Sequence, residues 1–299
     1  MSALAPHRQA RRAEALADRL PPLLVAAERV AATVAQGVHG RRRIGQGDSF
    51  WQFRPFLAGD AASRIDWRQS ARSDRAYIRE TEWEAAQTVV LWRDGAPGMQ
   101  WQSRLAGTSK RERAGLLVLA LAALLLRGGE RVSLLAPTSR TASGRAGLER
   151  LAAELERLPE GDGLPPDVQL PRHARVVLVG DLLGPLAGIQ AAVGRLAAVP
   201  VTGHLVQVLD PAEALLPYSG RVRFEGMRHD LHTLIPRVEG IRDAYARRLA
   251  AQQAGLAAIC AAAGFGFSIH RTDNPPEAAL LALYTALAPQ AGMRAAGGR

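Results

Sequence analysis

Two aspartates stand where a carboxylate could do chemistry. Asp94 directly follows the apolar run TVVLWR, and Asp181 directly follows the run RVVLVG. Short, fully apolar runs of this kind are typical of the buried strands of a parallel sheet, whose ligands bind at the carboxyl ends of the strands. A carboxylate there could serve as a phosphoryl-accepting nucleophile or as the first ligand of a divalent cation.

Neither of these metal-dependent templates is complete. Aspartyl phosphotransferases resembling haloacid dehalogenases need D-x-D, and the residue two places after Asp94 is Ala96. The metal-ion-dependent adhesion site needs D-x-S-x-S, and Ala96 and Gly98 stand in place of its serines. We therefore expect no bound metal and no cofactor, although two carboxylates could still hold a cation weakly.

Other catalytic templates fail as well. The segment GTSK at 107–110 lacks the loop length of a phosphate-binding loop, and neither G-x-G-x-x-G after a strand nor G-x-S-x-G occurs. His229 and His232 are isolated from other potential zinc ligands, and Cys260, the single cysteine, lies in an apolar helical stretch that predicts packing. The sequence therefore favours a non-enzymatic function.

The elements that must position these residues alternate along the chain. Apolar runs predict strands at 88–93, 131–136, 175–179, 203–209 and 266–270, with 222–224 as a candidate edge strand. Helical periodicity predicts helices at 110–127, 147–158, 189–198, 238–262 and 276–287. This alternation predicts a doubly wound, mostly parallel α/β sheet with helices on both faces.

The N-terminal part has a different character. Residues 8–36 are predicted to be helical with a break at Pro21 and Pro22, whereas all five tryptophans lie between Trp51 and Trp101. We predict an N-terminal helical segment at 1–40, an aromatic β-rich layer at 41–87, the α/β domain at 88–290 and a disordered tail at 291–299.

The composition is that of a globular protein, with 47% hydrophobic and 22% charged residues. The formal charge of +10 raises a nucleic-acid hypothesis, but 37 of the 38 basic residues are scattered arginines and one is Lys110. No export signal is visible, and the longest apolar run, Ala114 to Leu126, is shorter than the roughly 20 residues of a membrane span. We expect a cytoplasmic protein.

A more specific signal lies upstream of the first strand. The segment FRPFLAGDAASRIDWRQSARSDRAYIRETEWE, from Phe53 to Glu84, resembles the signature of the family called domain of unknown function 58. The resemblance extends to VLDPAEALLP at 208–217 and to Thr272-Asp273, and so covers roughly residues 36 to 290. It implies a von Willebrand factor A-like sheet with an added N-terminal β-rich layer. It also implies a MoxR-type AAA+ ATPase, or a client of that ATPase, as partner, because family members are encoded beside such ATPases.

One interpretation of the signature residues is that they have a structural role. The arginine forks could pair with the carboxylates while the tryptophan packs beneath them, which would hold the N-terminal layer to the sheet. The other interpretation is a surface that recognises a partner. The residues concerned are Asp60, Arg64, Asp66, Trp67 and Arg72.

The resulting hypothesis is an adaptor that binds other proteins through the loops at the carboxyl ends of its strands. We predict partner contacts by Asp94, Met99, Asp181 and Leu183. The first alternative is a divalent-cation-dependent enzyme or adhesion module that uses Asp94 and Asp181, and the second is a charge-driven nucleic-acid binder. Any association with a membrane would be peripheral, through a membrane-bound partner.

Overall fold

The computed structural model describes residues 22–39, 50–56, 65–72, 75–81, 87–226 and 232–287. The chain divides into two compact units, one formed by Met1–Gly37 with Gln87–Arg299 and the other by Val38–Ala86. The predicted tail at 291–299 lies outside the described residues. The smaller unit nearly coincides with the predicted aromatic layer at 41–87.

The described elements follow in chain order. The helices are α1 (Pro22–His39), α2 (Trp67–Ser70), α3 (Lys110–Arg127), α4 (Gly144–Arg157), α5 (Leu186–Leu196), α6 (Pro211–Leu215), α7 (Arg242–Ala262) and α8 (Pro276–Ala286). The strands are β1 (Phe50–Pro55), β2 (Tyr77–Thr81), β3 (Thr88–Arg93), β4 (Arg131–Leu134), β5 (Arg175–Gly180), β6 (Thr202–Leu209), β7 (Val222–Glu225), β8 (His232–Ile235) and β9 (Phe265–Arg271). Short 3₁₀ turns precede α3 at Pro97–Gln100 and α7 at Val238–Ile241.

The larger unit is built on a parallel sheet with the strand order β4-β3-β5-β6-β9. Helices α3, α4 and α8 pack together on one face, and α5 and α7 pack together on the other. The predicted doubly wound α/β fold is therefore confirmed. Because the chain leaves β3 for β4 on one side and returns to β5 on the other, the topological switch point lies between β3 and β5.

The strand predicted at 222–224 does form, as β7 (Val222–Glu225), but it does not join this sheet, so its placement as an edge strand is wrong. Strand β7 pairs antiparallel with β8 in a separate two-stranded ribbon. Its side chains alternate between half-buried and exposed, which suits a ribbon with one face in solvent rather than a buried parallel strand.

Local sequence explains where the main helix begins and why it is buried. Ser109 and Glu112 form a capping box, which fixes Lys110 as the first residue of α3. The continuous apolar stretch from Ala114 to Leu126 is buried between the sheet and the neighbouring helices, except for Leu116 at its margin. No helix among the described residues has the length and apolar character to cross a membrane.

Helix α1, as far as Gly37, belongs to the larger unit. Its buried residues recur at helical spacing, and a Cβ on Gly115 of α3 would lie 3.1 Å from Leu23 Cδ2.

On the opposite face of the sheet, Cys260 of α7 is fully buried. Burial raises the pKa of its thiol to about 11, which agrees with the predicted packing role.

Candidate functional site

The switch point brings the two strand-end aspartates to one edge of the sheet. Asp94 follows β3 and Asp181 follows β5, and the Asp94 backbone N–H donates to the carbonyl of Val179 at 2.8 Å. Gly180 makes this approach possible, because a Cβ there would lie 2.7 Å from the Cβ of Asp94. The two carboxylates nevertheless have different surroundings.

The Asp94 carboxyl is sealed from solvent, with 0% exposure. Its Oδ1 accepts a hydrogen bond from the Ala96 backbone N–H at 2.8 Å, whereas Oδ2 has no hydrogen-bond partner among the described residues. Burial raises the pKa of Asp94 to about 6, and the charge of Asp181 adds to this. The backbone N–H groups of Ala96 and Asp181 and the charge of Lys110 work in the opposite direction.

Asp181 belongs instead to a buried ion-pair cluster. Lys110 is 1% exposed, and its Nζ donates to Asp181 Oδ2 at 2.9 Å and to Glu213 Oε1 at 2.5 Å. Burial by itself lowers the pKa of Lys110, but the two carboxylates outweigh that effect and the pKa is raised overall. Lys110 is therefore a charged ammonium in the interior of the strand-end edge.

Sequence reasoning did not identify Lys110 or Glu213, although both are set by visible capping signals. Ser109 to Glu112 places Lys110 at the start of α3. In the second capping box Asp210, which follows β6, caps α6 and Glu213 Oε2 accepts from the Asp210 backbone N–H at 3.0 Å. The Asp210 box directly follows β6, and the Ser109 box begins the helix that follows β3. These capping signals therefore indicated the helix starts at which Lys110 and Glu213 lie.

Two of the four residues that were predicted to contact a partner are fully buried, so the prediction is wrong for these two. Met99 lies in the Pro97–Gln100 turn and is 0% exposed, so its side chain is part of the core. Asp94 is equally buried and presents nothing to a partner. By contrast Leu183 is 40% exposed, and Asp181 reaches the surface of a cavity beside it.

That cavity lies over the ion-pair cluster and has a volume of about 660 Å³. Lys110, Asp181 and Glu213 contribute to its polar part. Its walls are aromatic and aliphatic side chains from the loops after β3, β5 and β6 and from β7, among them Trp101, Leu183, Leu216, Val222 and Phe224. Tyr245 of α7 also lines it, and its hydroxyl donates to the Glu213 carbonyl at 2.6 Å.

The smaller unit gives its signature residues local roles. Asp66 caps α2 by accepting from the Gln69 backbone N–H at 3.0 Å. Trp67 is 68% exposed and Arg72 is exposed, so the predicted packing of the tryptophan beneath a buried arginine pair is wrong for these residues. Asp60 and Arg64 lie outside the described residues.

Replacing Asp66 with alanine is expected to destabilise the protein by about 1 kcal/mol, the usual cost of losing a helix N-cap. A broken buried ion pair would cost about 3 to 5 kcal/mol instead. Urea unfolding of Asp66→Ala beside Asp66→Ser, which keeps a capping oxygen, separates the two cases. A loss above 3 kcal/mol in the alanine variant would restore the ion-pair interpretation.

The strand-end edge is also expected to bind divalent cations poorly. As the side chains stand, no group of three or more histidine, cysteine or acidic residues in the described part of the chain could hold a metal ion. Magnesium or manganese should therefore bind no tighter than about millimolar, the range of weakly organised oxygen sites. Calorimetry with each chloride salt tests this, and a micromolar dissociation constant would contradict it.

Comparison with known proteins gives one family and several structures. The family model "Protein of unknown function DUF58" matches residues 52–255. No curated protein matches.

Three crystal structures each align with 67% of this chain. The conserved hypothetical protein BatB from Bacteroides thetaiotaomicron is 16% identical, covered over 97% of its length, with a TM-score of 0.38. An aerotolerance-related membrane protein from Bacteroides fragilis is 16% identical, covered over 98%, with a TM-score of 0.37. An uncharacterized membrane spanning protein from Vibrio fischeri is 11% identical, covered over 98%, with a TM-score of 0.19.

Proposed function

The chain belongs to the DUF58 family, and from that premise we propose that it is a non-enzymatic, cytoplasmic protein-binding module that acts with a MoxR-type AAA+ ATPase. The observation that carries this proposal is the apolar cavity at the carboxyl edge of the sheet, whose polar floor is occupied by its own ion pairs. Rigid strands with loops at one edge are a common arrangement for binding.

The state of the acidic groups supports binding over catalysis. A carboxylate acting as nucleophile or general base must reach its substrate with a free oxygen. Asp181 and Glu213 are engaged by Lys110, and Asp94 is closed off from solvent. What the cavity offers to a partner is mainly apolar and aromatic surface.

The cavity and the charge of the chain define the partner segment. Pockets of about 300 to 1,000 Å³ accommodate compact ligands, and large apolar side chains are the usual anchors of protein interfaces. A second pocket, which shares Leu183 and Tyr245 with the first, includes Arg248. Together with the formal charge of +10, this favours a segment with one or two large apolar anchors flanked by acidic residues.

The test uses two leucines of similar exposure on the same unit. Leu183 is 40% exposed and lines the cavity, whereas Leu281 on α8 is 43% exposed and lies outside it. Leu183→Asp should weaken binding of the MoxR-type ATPase from the same genome more than tenfold, about 1.4 kcal/mol. Leu281→Asp should leave it unchanged.

Biolayer interferometry with the purified ATPase measures both variants, and thermal melts confirm that each is folded. Met99 is left intact because an aspartate there would be buried. Equal binding by the wild type and both variants would show that the partner docks elsewhere, and no binding by the wild type would refute the proposed partner.

A further inference from the structure

The two edges of the parallel sheet differ in how they are covered. At the β4 edge the chain folds back along the strand, and Val132 and Ala142 exchange backbone hydrogen bonds. The next outward N–H of that strand, on Leu134, donates to Ser139 Oγ at 2.9 Å. At the opposite edge β9 pairs with β6, and no described strand or bridge lies on its outer side. An uncovered edge strand is a template for pairing with another chain.

The outward backbone groups of β9 belong to alternate residues. The Thr272 N–H donates to the Leu209 carbonyl of β6 at 2.9 Å, so every second residue before Thr272 also faces β6. Phe267 and Ile269 lie between these positions, and their backbone N–H and C=O groups point away from β6. Two such edges related by a twofold axis can pair antiparallel, because each carries the donors and acceptors that the other needs.

The surface beside this edge is apolar. Phe265 and Phe267 belong to the hydrophobic core under α7, and Ile269, two residues further along β9, lies on the same face of the strand. Ile269 is nevertheless 46% exposed. The apolar face of β9 therefore continues from the core out to the uncovered edge.

Helix α7, which packs on β9, extends this surface. One side of α7 faces α5 at Gly255, where a Cβ would overlap Leu186 of α5. The side away from α5 carries a stripe of exposed alanines at helical spacing, Ala250, Ala254, Ala257 and Ala261. How closely two helices approach depends on the side chains between them, so this stripe suits close contact with another helix.

This face also lacks charge. The chain has a formal charge of +10, yet no Asp, Glu, Lys or Arg occurs from Leu249 to His270, the longest such run in the sequence. His270 is buried, and burial lowers its pKa to about 4, so the ring is neutral at neutral pH. Two copies of a basic chain repel each other where their arginines meet, but this face brings no like charges together.

We propose that the β9 edge and the alanine stripe of α7 form a homodimer interface, in which the β9 strands of two copies pair antiparallel. An extended peptide would occupy the strand edge alone. A second copy occupies both features, because its own α7 accompanies its β9. This inference does not depend on the partner proposed for the cavity, whose walls come from other segments.

Sedimentation equilibrium of the full chain at several concentrations tests the interface, and the wild type is expected to dimerise. Ile269→Arg and Ala257→Arg each place a charge in the uncharged face, so each should raise the dimer Kd at least tenfold. Leu105→Arg, the control, alters a leucine that is 54% exposed between β3 and α3 and should leave the Kd unchanged. Thermal melts confirm that each variant is folded.

Hydrogen exchange of the wild type identifies the strand without any variant. The amides of Phe267 and Ile269 should exchange more slowly as the protein concentration rises, because the second β9 accepts their hydrogen bonds. A monomer at every concentration would overturn the proposal. So would a dimer that either arginine variant leaves intact, or one in which these two amides stay unprotected.

Discussion

Replacing Lys110 with methionine is expected to destabilise the folded protein by about 3 to 5 kcal/mol at neutral pH. Methionine keeps the unbranched stem but removes the charge, so Asp181 and Glu213 would remain buried beside each other without a cation. Removing one partner of a buried ion pair has this cost because the remaining charge is poorly solvated.

The pH dependence of this destabilisation shows whether it comes from the lost charge or from lost packing. The pKa of Lys110 is raised in the folded protein. The contribution of Lys110 to the free energy of unfolding is therefore fully present below the ordinary lysine pKa of about 10.4, and it is lost as the pH rises through the folded pKa. The deficit of Lys110→Met should shrink as the pH falls towards 4, because burial raises the pKa of Glu213 and the ammonium that opposes this effect is gone, so that this carboxylate takes up a proton.

Urea unfolding between pH 4 and pH 9 measures this deficit. Lys110→Met/Glu213→Gln, which removes one charge of each sign, should recover part of the lost stability. A deficit that is equally large at pH 4 and pH 8 would indicate lost packing and not lost charge.

Replacing Asp94 with asparagine is expected to have the opposite effect and to stabilise the protein at neutral pH. The pKa of the Asp94 carboxyl is raised from 3.8 to about 6, mainly by burial. A raised acid pKa means that ionisation is disfavoured in the folded state, and two pKa units correspond to about 3 kcal/mol. Asparagine is uncharged and keeps the oxygen that accepts from the Ala96 N–H.

The difference in the free energy of unfolding between Asp94→Asn and the wild type should follow the titration of the Asp94 carboxyl. The folded state binds more protons than the unfolded state between about pH 4 and pH 6, so the Asp94 contribution to stability falls as the pH rises through that window. The stabilisation by asparagine should therefore be near zero at pH 4 and reach its full value above pH 6.

The matched control is the other strand-end aspartate. Asp181→Asn removes a partner of the buried ammonium and is expected to destabilise the protein at neutral pH. Denaturation midpoints of both variants at pH 4, 5, 6 and 7.5 provide the comparison. A loss of stability in Asp94→Asn at pH 7.5 would show that the ionised carboxylate holds this edge together.

The sequence by itself determined the sheet and the positions of its functional edge. Alternating apolar runs and helical periods predicted the β3 and α3 bounds as the structure has them. They also predicted that Asp94 and Asp181 each directly follow a strand and can lie at the carboxyl edge of the sheet. These features depend on residues close together in the chain, where side-chain periodicity and capping signals act.

Tertiary structure alone decided what each strand-end carboxylate does. Lys110 lies 71 residues before Asp181 and 103 residues before Glu213, and no local pattern links them. Folding also buried Met99, which adjacent residues made look like an exposed loop side chain. The physical reason is that burial and ion pairing depend on which segments the sheet topology brings together, and β3, β5 and β6 meet only when the whole sheet has formed.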